Sequence, residues 1–264
     1  MTTGSEEHHL EIGVGTSTLR SLGRRAPIAA VVRLLETADR AGVRYIDTAD
    51  TYGAGSAERA IAGAVRRSSA LRDSASPFRV ITKIGYRTPD LPGPLRLLNQ
   101  PVKKVVQRGA QQAFDASSLM VAWAGSRRRL AQLDVHACCL HNPSREVLES
   151  GDALRVLGRL HARGAFHHVG ISVDDISTVD LVSRLDGVGL VELPAEAWTT
   201  VAPEVRSRFL NRGTEVVVNR VTALDRDPVV ALRALAAGPQ PPTVAVVGTR
   251  DPDHLVADAE AVRS

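Results

Sequence analysis

The sequence predicts an α/β fold, a closed (β/α)8 TIM barrel folded as a single domain over residues 1–264. Three observations lead there. Short apolar, β-rich runs recur about eight times with helical patterns between them. No Pro/Gly/Ser linker interrupts the alternation, and 264 residues is an ordinary length for such a barrel. An open doubly wound sheet is the alternative, but it needs a topological switch point and usually fewer strands.

Residues 11–15 are the first strand. Residues 27–40 read as a helix because Ile28, Val31, Val32, Leu35 and Ala38 share one face, with Pro27 suited to the first turn and Gly42 to the stop. The second strand, 43–46, runs into a polar loop over 47–55, and a new helical pattern begins near Ser56. Residues 79–83 form the third strand. After it, Pro89, Pro92, Gly93 and Pro94 predict a loop or excursion over 88–100. Strands then follow at 135–140, 167–172, 188–193, 215–221 and 243–247. The helices between and after them are placed at 119–133, 153–163, 176–185, 204–211, 228–237 and 254–262.

Composition narrows the functional classes. With 44% hydrophobic and 23% charged residues the chain can bury a sizeable core, and no apolar run approaches the ~20 residues of a membrane span. The first ten residues carry Glu6, Glu7, His8 and His9 and no signal-peptide core, which predicts a cytoplasmic protein. Cys138 and Cys139 are neighbours on a strand, point to opposite faces and are not expected to pair. The net charge of +4 permits an anionic partner, yet Lys and Arg are scattered and aromatic residues make up only 3%. The densest basic cluster, Arg127 to Arg129, lies on a predicted helix and reads as a solvated face, so nucleic-acid binding is not predicted. Trp123, in the same helix, reads as core. No exposed apolar heptad marks a self-association helix, and oligomeric state is left unassigned.

In a barrel the C-terminal ends of the strands open into one shared mouth, so polar residues that end apolar strands are the first candidates for chemistry. Asp47 follows the second strand, Tyr52 sits in the loop beyond it, Lys83 ends the third, and His141 follows the fourth. A dinucleotide fingerprint is missing. Gly13 and Gly15 begin like G-x-G, but Thr18 stands where the third glycine belongs. A nicotinamide cofactor would therefore bind without a Rossmann turn.

The stretch Gly42-Val43-Arg44-Tyr45-Ile46-Asp47-Thr48-Ala49-Asp50-Thr51-Tyr52, continued by Gly53-Ala54-Gly55-Ser56-Ala57-Glu58, resembles the signature of the aldo-keto reductases around their catalytic Asp and Tyr. Val80-Ile81-Thr82-Lys83 resembles the strand with the catalytic Lys, and Leu140-His141-Asn142-Pro143 the segment with the catalytic His. Val247-Gly248-Thr249-Arg250-Asp251-Pro252-Asp253-His254-Leu255 resembles the cofactor-binding eighth strand and helix.

This resemblance implies an NADPH-dependent oxidoreductase that interconverts a small-molecule carbonyl and an alcohol, with no metal. Tyr52 would be the general acid. A free phenol, with a pKa of about 10, is a reluctant donor at neutral pH. Lys83 is expected to lower that value, Asp47 to hold the ammonium, and His141 to orient the carbonyl or share the proton.

The cofactor residues implied by the resemblance carry over less closely. Ser172 is followed by Val173 where the family has Ser-Asn, so one polar contact to the carboxamide is missing. Glu192 stands at the family's Gln; it accepts but cannot donate, and its charge needs a partner. After the seventh strand Asn219 and Arg220 replace an aromatic stacking platform. Gly248, Thr249 and Arg250 suit phosphate, with Arg250 a candidate for the adenosine 2′-phosphate. The sequence stops at Ser264, directly after the last helix, which predicts an open pocket contacted by Tyr86, Trp198 and the proline-rich stretch. The weakened nicotinamide contacts keep two alternatives in view: a redox-neutral acid-base enzyme such as a dehydratase or cyclase, and a cofactor-binding accessory protein.

Overall fold

The computed structural model describes residues 9–21, 24–87 and 112–263. Eight parallel strands close into a barrel: β1 (Glu11–Gly15), β2 (Tyr45–Asp47), β3 (Arg79–Ile84), β4 (Val135–His141), β5 (His168–Ser172), β6 (Leu190–Pro194), β7 (Glu215–Asn219) and β8 (Val244–Val247). Each pairs with its sequence neighbours, and β1 joins β8 on one side and β2 on the other. The helices that return the chain are α1 (Ile28–Arg40), α2 (Ser56–Arg67), α3 (Ala116–Leu130), α4 (Asp152–His161), α5 (Val179–Val182), α6 (Pro203–Asn211), α7 (Pro228–Ala236) and α8 (Pro252–Ala261). No helix among the described residues is long and apolar enough to cross a membrane.

Alternation along the strands builds two packed layers. Tyr45, Ile81, Ala137, Cys139, Leu190, Val217, Val244 and Val246 fill one compact cluster of their own. The other strand faces pack against the helices, with Leu34, Leu35 and Ala38 of α1 and Leu232 and Leu235 of α7 buried there. Cys138 and Cys139 fall in different clusters and both are free thiols, as their adjacency on a strand requires. Trp123 is core, edge-on to Phe166 at 5.1 Å. Gly170 is required by close approach, since a Cβ there would lie 2.4 Å from Cys139 Sγ.

Several boundaries differ from the sequence expectation. The second strand begins at Tyr45 because Gly42 takes φ 71° and the amide of Val43 still bonds back to the Ala38 carbonyl, so Val43 belongs to the turn. Pro27 is the N-cap of α1 rather than its first residue. The seventh strand stops at Asn219 because Arg220 turns into the left-handed region at φ 53° and a 3-10 turn follows. Residues 176–185 do not form one helix. Asp175 caps a 3-10 turn at Ile176–Thr178, and only Val179–Val182 is α-helical, with Ser and Thr side chains bonding local backbone instead. Three further short helices, Ser69–Arg72, Arg145–Ser150 and Ala195–Thr200, have one or two turns each, which leaves no period in the sequence to mark them. Arg127 and Arg128 are exposed, but Arg129 is not part of a solvated face: it is buried against Glu58. The expected proline-rich loop at 88–100 lies outside the described residues.

Candidate active site

Asp47 is the last residue of β2, Lys83 lies near the end of β3, and His141 ends β4. Tyr52 is carried by the turn between β2 and α2. Gly53, Ala54 and Gly55 in that turn all take positive φ, at 57°, 53° and 72°, which only the glycines adopt without strain. Backbone bonds fix the turn to the barrel rim: Asp50 N donates to Lys83 O at 3.1 Å, and Thr16 donates to Asp47 O through both its amide and its hydroxyl. From α2, Glu58 accepts from Thr82 Oγ1 at 2.8 Å and pairs with Arg129 Nε at 2.5 Å. This buried pair ties α2 and α3 to β3, one residue before Lys83.

The four residues meet at one spot. Lys83 Nζ donates to Tyr52 Oη at 3.4 Å, to Thr48 O at 3.3 Å and to Asp47 Oδ1, and it also lies 3.0 Å from Glu192 Oε2. Lys83 is 1% and Glu192 0% exposed, so this ion triad is dry. Asn219 Nδ2 donates to the other oxygen of Glu192 at 2.6 Å. The His141 ring stands edge-on to Tyr52, with centroids 6.3 Å apart, and edge-on to Tyr86 at 5.2 Å.

Two carboxylates thus face one ammonium, and the proton affinities follow. Burial works against the Lys83 charge, but Asp47 and Glu192 outweigh it and hold the ammonium well above its ordinary value. For Asp47, burial and then Glu192 raise the pKa to about 7 despite Lys83. Tyr52 is pushed up, not down. Burial raises it most, Lys83 lowers it, and Asp47 and Glu192 raise it again. The expected lowering fails because burial of the phenol outweighs the Lys83 ammonium, and Asp47 and Glu192 add to the rise.

A cavity of about 640 Å³ opens at this end of the barrel, running from Tyr52, Lys83 and His141 past Ser172 and Asn219 to Gly248 and Thr249. Ser172 is paired in register with both His141 and Glu192. Arg220 lines the cavity and forms a 2.6 Å ion pair with Asp174, which also receives Asn142 Nδ2 at 3.5 Å. Thr249 lines it too, its hydroxyl held in the Asp251 turn that caps α8. Arg250 is exposed and does not line it. Tyr86 stands edge-on to His141 but does not itself line the cavity.

Trp198 is elsewhere. It is a residue of the Ala195–Thr200 helix, 2% exposed, packs near Phe209 and donates from its indole to Gln240 O at 3.1 Å, so the expected substrate contact is core instead. It follows a strand end closely, but it sits on the buried side of a short helix. Glu58, Asn142 and Asp174 were not singled out from sequence. Glu58 and Asn142 stand inside the quoted motifs, whereas nothing local marks Asp174.

The C-terminal mouth of this barrel thus gathers a Tyr, a Lys, a His and an Asp around one cavity. The chain belongs to the aldo/keto reductase family, whose model matches residues 11–204. No curated protein sequence matches it significantly. Among solved structures it is similar to an aldo-keto reductase from Bacillus halodurans in its holo form, at 17% identity and TM-score 0.74 over 99% of this chain and 89% of that one. It is similar to the glycerol dehydrogenase of Gluconobacter oxydans, at 15% identity and TM-score 0.72 over 99% and 89%. An aldo-keto reductase from Klebsiella pneumoniae in complex with NADPH matches at 19% identity and TM-score 0.66 over 96% and 85%.

Proposed function

We propose that this protein is an NADPH-dependent reductase of small carbonyl compounds in which Tyr52 is the general acid. The observation that carries the proposal is the hydrogen bond from the buried Lys83 ammonium to the Tyr52 hydroxyl, inside a cavity that His141 also lines. The NADPH complex of the Klebsiella pneumoniae relative supports the choice of cofactor.

The residues present suit such a group. Asn219 Oδ1 and Thr18 Oγ1 are buried at the cavity without a hydrogen-bond partner among the described residues, which leaves acceptors for a polar ligand. Ser172, Asn219 and Glu192 would hold the carboxamide. The cost of the Glu192 charge is offset by Lys83 and by the Asn219 amide. Gly248, Thr249 and Arg220 would hold phosphates, and Arg250 the adenosine 2′-phosphate. When bound, the nicotinamide supplies hydride for the carbonyl carbon.

Tyr52 then gives its phenolic proton to the carbonyl oxygen. Its raised pKa keeps it protonated, and so able to donate, at neutral pH. Lys83 faces the phenolate left behind and stabilises it, while Asp47 and Glu192 fix the ammonium. His141, edge-on to Tyr52, positions the carbonyl oxygen.

The test is NADPH titration followed by a panel of aldehydes and ketones read as NADPH consumption. Tyr52→Phe should retain cofactor binding and lose about 10²- to 10⁴-fold in kcat. Absence of NADPH affinity would remove the proposal. Product formation without NADPH would favour the redox-neutral reading.

A further inference from the structure

At the other end of the barrel, the first residues of the strands build a second polar cluster that the proposed chemistry does not use. His136 is the second residue of β4, His168 the first of β5 and Glu215 the first of β7. His136 Nε2 lies 2.8 Å and 3.0 Å from the two Glu215 oxygens, and His168 Nε2 lies 3.6 Å from Glu215 Oε1. The two rings have centroids 4.7 Å apart. One ligand atom from each of the three residues can be chosen so that all lie within 4.8 Å of one another.

We propose that His136, His168 and Glu215 form a binding site for a divalent transition-metal ion of the Zn(II) type. Two imidazoles and a carboxylate are a donor set that holds zinc while leaving a further position for water. The nitrogen donors favour such an ion over Ca(II) or Mg(II), which prefer all-oxygen cages.

The surroundings hold these donors in place. Each stands on a strand hydrogen-bonded to its neighbours, so the three backbones are fixed by the barrel. His136 keeps 9% of its side chain exposed, Glu215 21% and His168 34%. The cluster is therefore sheltered on the His136 side and open to water on the His168 side. A Cβ at Gly189 would lie 2.6 Å from His168 Nδ1, so the missing side chain there makes the room in which the ring sits.

Tyr45 forms one wall, with its ring edge-on to His136 at 5.5 Å and its hydroxyl 3.4 Å from Glu215 Oε2. The nearby cation, Arg79, donates to that hydroxyl at 2.9 Å and lies over the Tyr45 ring. An ion bound here would join the starts of β4, β5 and β7. Its role is then to brace the barrel, since the reacting groups lie at the opposite mouth.

The test uses the tag-free full-length chain after chelator treatment. Titration with Co(II), and with Zn(II) in competition, should show one tight site per chain, with d–d absorption bands for Co(II) and a rise of several degrees in Tm for Zn(II). His168→Gln and Glu215→Gln, checked by circular dichroism to be folded, should each weaken binding at least tenfold and abolish the Zn(II)-induced rise, with NADPH affinity unchanged. Zn(II) should also protect His136 and His168 of the unaltered chain from diethyl pyrocarbonate, read by peptide mass spectrometry, which keeps the test open if a variant misfolds. No binding at micromolar Zn(II), equal binding in both variants, or unprotected histidines would overturn the proposal.

Discussion

Lys83 Nζ stands 3.0 Å from Glu192 Oε2 while also bonded to Asp47, so one ammonium serves two buried carboxylates on opposite walls of the barrel. The second carboxylate changes what Lys83 can do for Tyr52. Burial raises the Tyr52 pKa most and Lys83 lowers it, but each carboxylate beside the ammonium takes back part of that lowering.

Glu192→Gln should undo this. The amide keeps the shape and can still bond to Asn219, but it removes a charge that raises both Asp47 and Tyr52. In alcohol oxidation Tyr52 must act as the base, so the rising limb of kcat against pH should move toward neutrality by about one unit, in line with a nearby charge. An unmoved limb would refute this coupling between Glu192 and Tyr52.

Asp47 makes stability depend on pH. Its folded-state pKa of about 7 lies above the ordinary 3.8, so between those values the folded chain binds a proton that the unfolded chain releases. The group is therefore most favourable to folding below about pH 4, and its penalty grows as pH rises to 7. Asp47→Asn should flatten that part of a Tm-against-pH curve. A variant curve parallel to the original would refute the assignment.

Arg129 and Glu58 form a second buried ion pair, 5% and 0% exposed at the side chains. Arg129→Leu strands the Glu58 charge and should cost about 3–5 kcal/mol in urea unfolding. Adding Glu58→Leu should recover much of that loss. Because Glu58 also anchors Thr82, beside Lys83, the single variant should lose activity as well.

Gly170→Ala should cost about 1–3 kcal/mol, the range for overpacking a filled core. The new methyl would lie 2.4 Å from Cys139 Sγ, and Cys139→Ala in the same chain should relieve most of the strain. Two additive effects would place the conflict in the backbone instead.

Strands were legible as apolar runs because burial on both faces leaves little polar residue in them, and their number sufficed for the barrel. Boundaries slipped where a single positive φ ended an element, as at Gly42 and Arg220. Asp47, Tyr52, Lys83 and His141 could be picked out because each follows or ends such a run at the same end of the barrel. Glu192 was visible as a departure from the family pattern, but its partner was not, since an ion pair between β3 and β6 leaves no local mark. The same holds for His136, His168 and Glu215, which have no motif spacing and become neighbours only when the barrel closes. The upward direction of the Tyr52 shift is hidden from the sequence for a related reason: the burial that raises it most comes from residues far apart in the chain.

Asp47 on β2 and Glu192 on β6 are four strands apart either way round, so the chain Asp47–Lys83–Glu192 spans a full diameter of the barrel. It works as a tie-beam between walls that share no hydrogen bonds. Amide protons near the ends of β2, β3 and β6 should therefore exchange with solvent as one cooperative group, and cutting the beam at Lys83 should let the walls breathe independently.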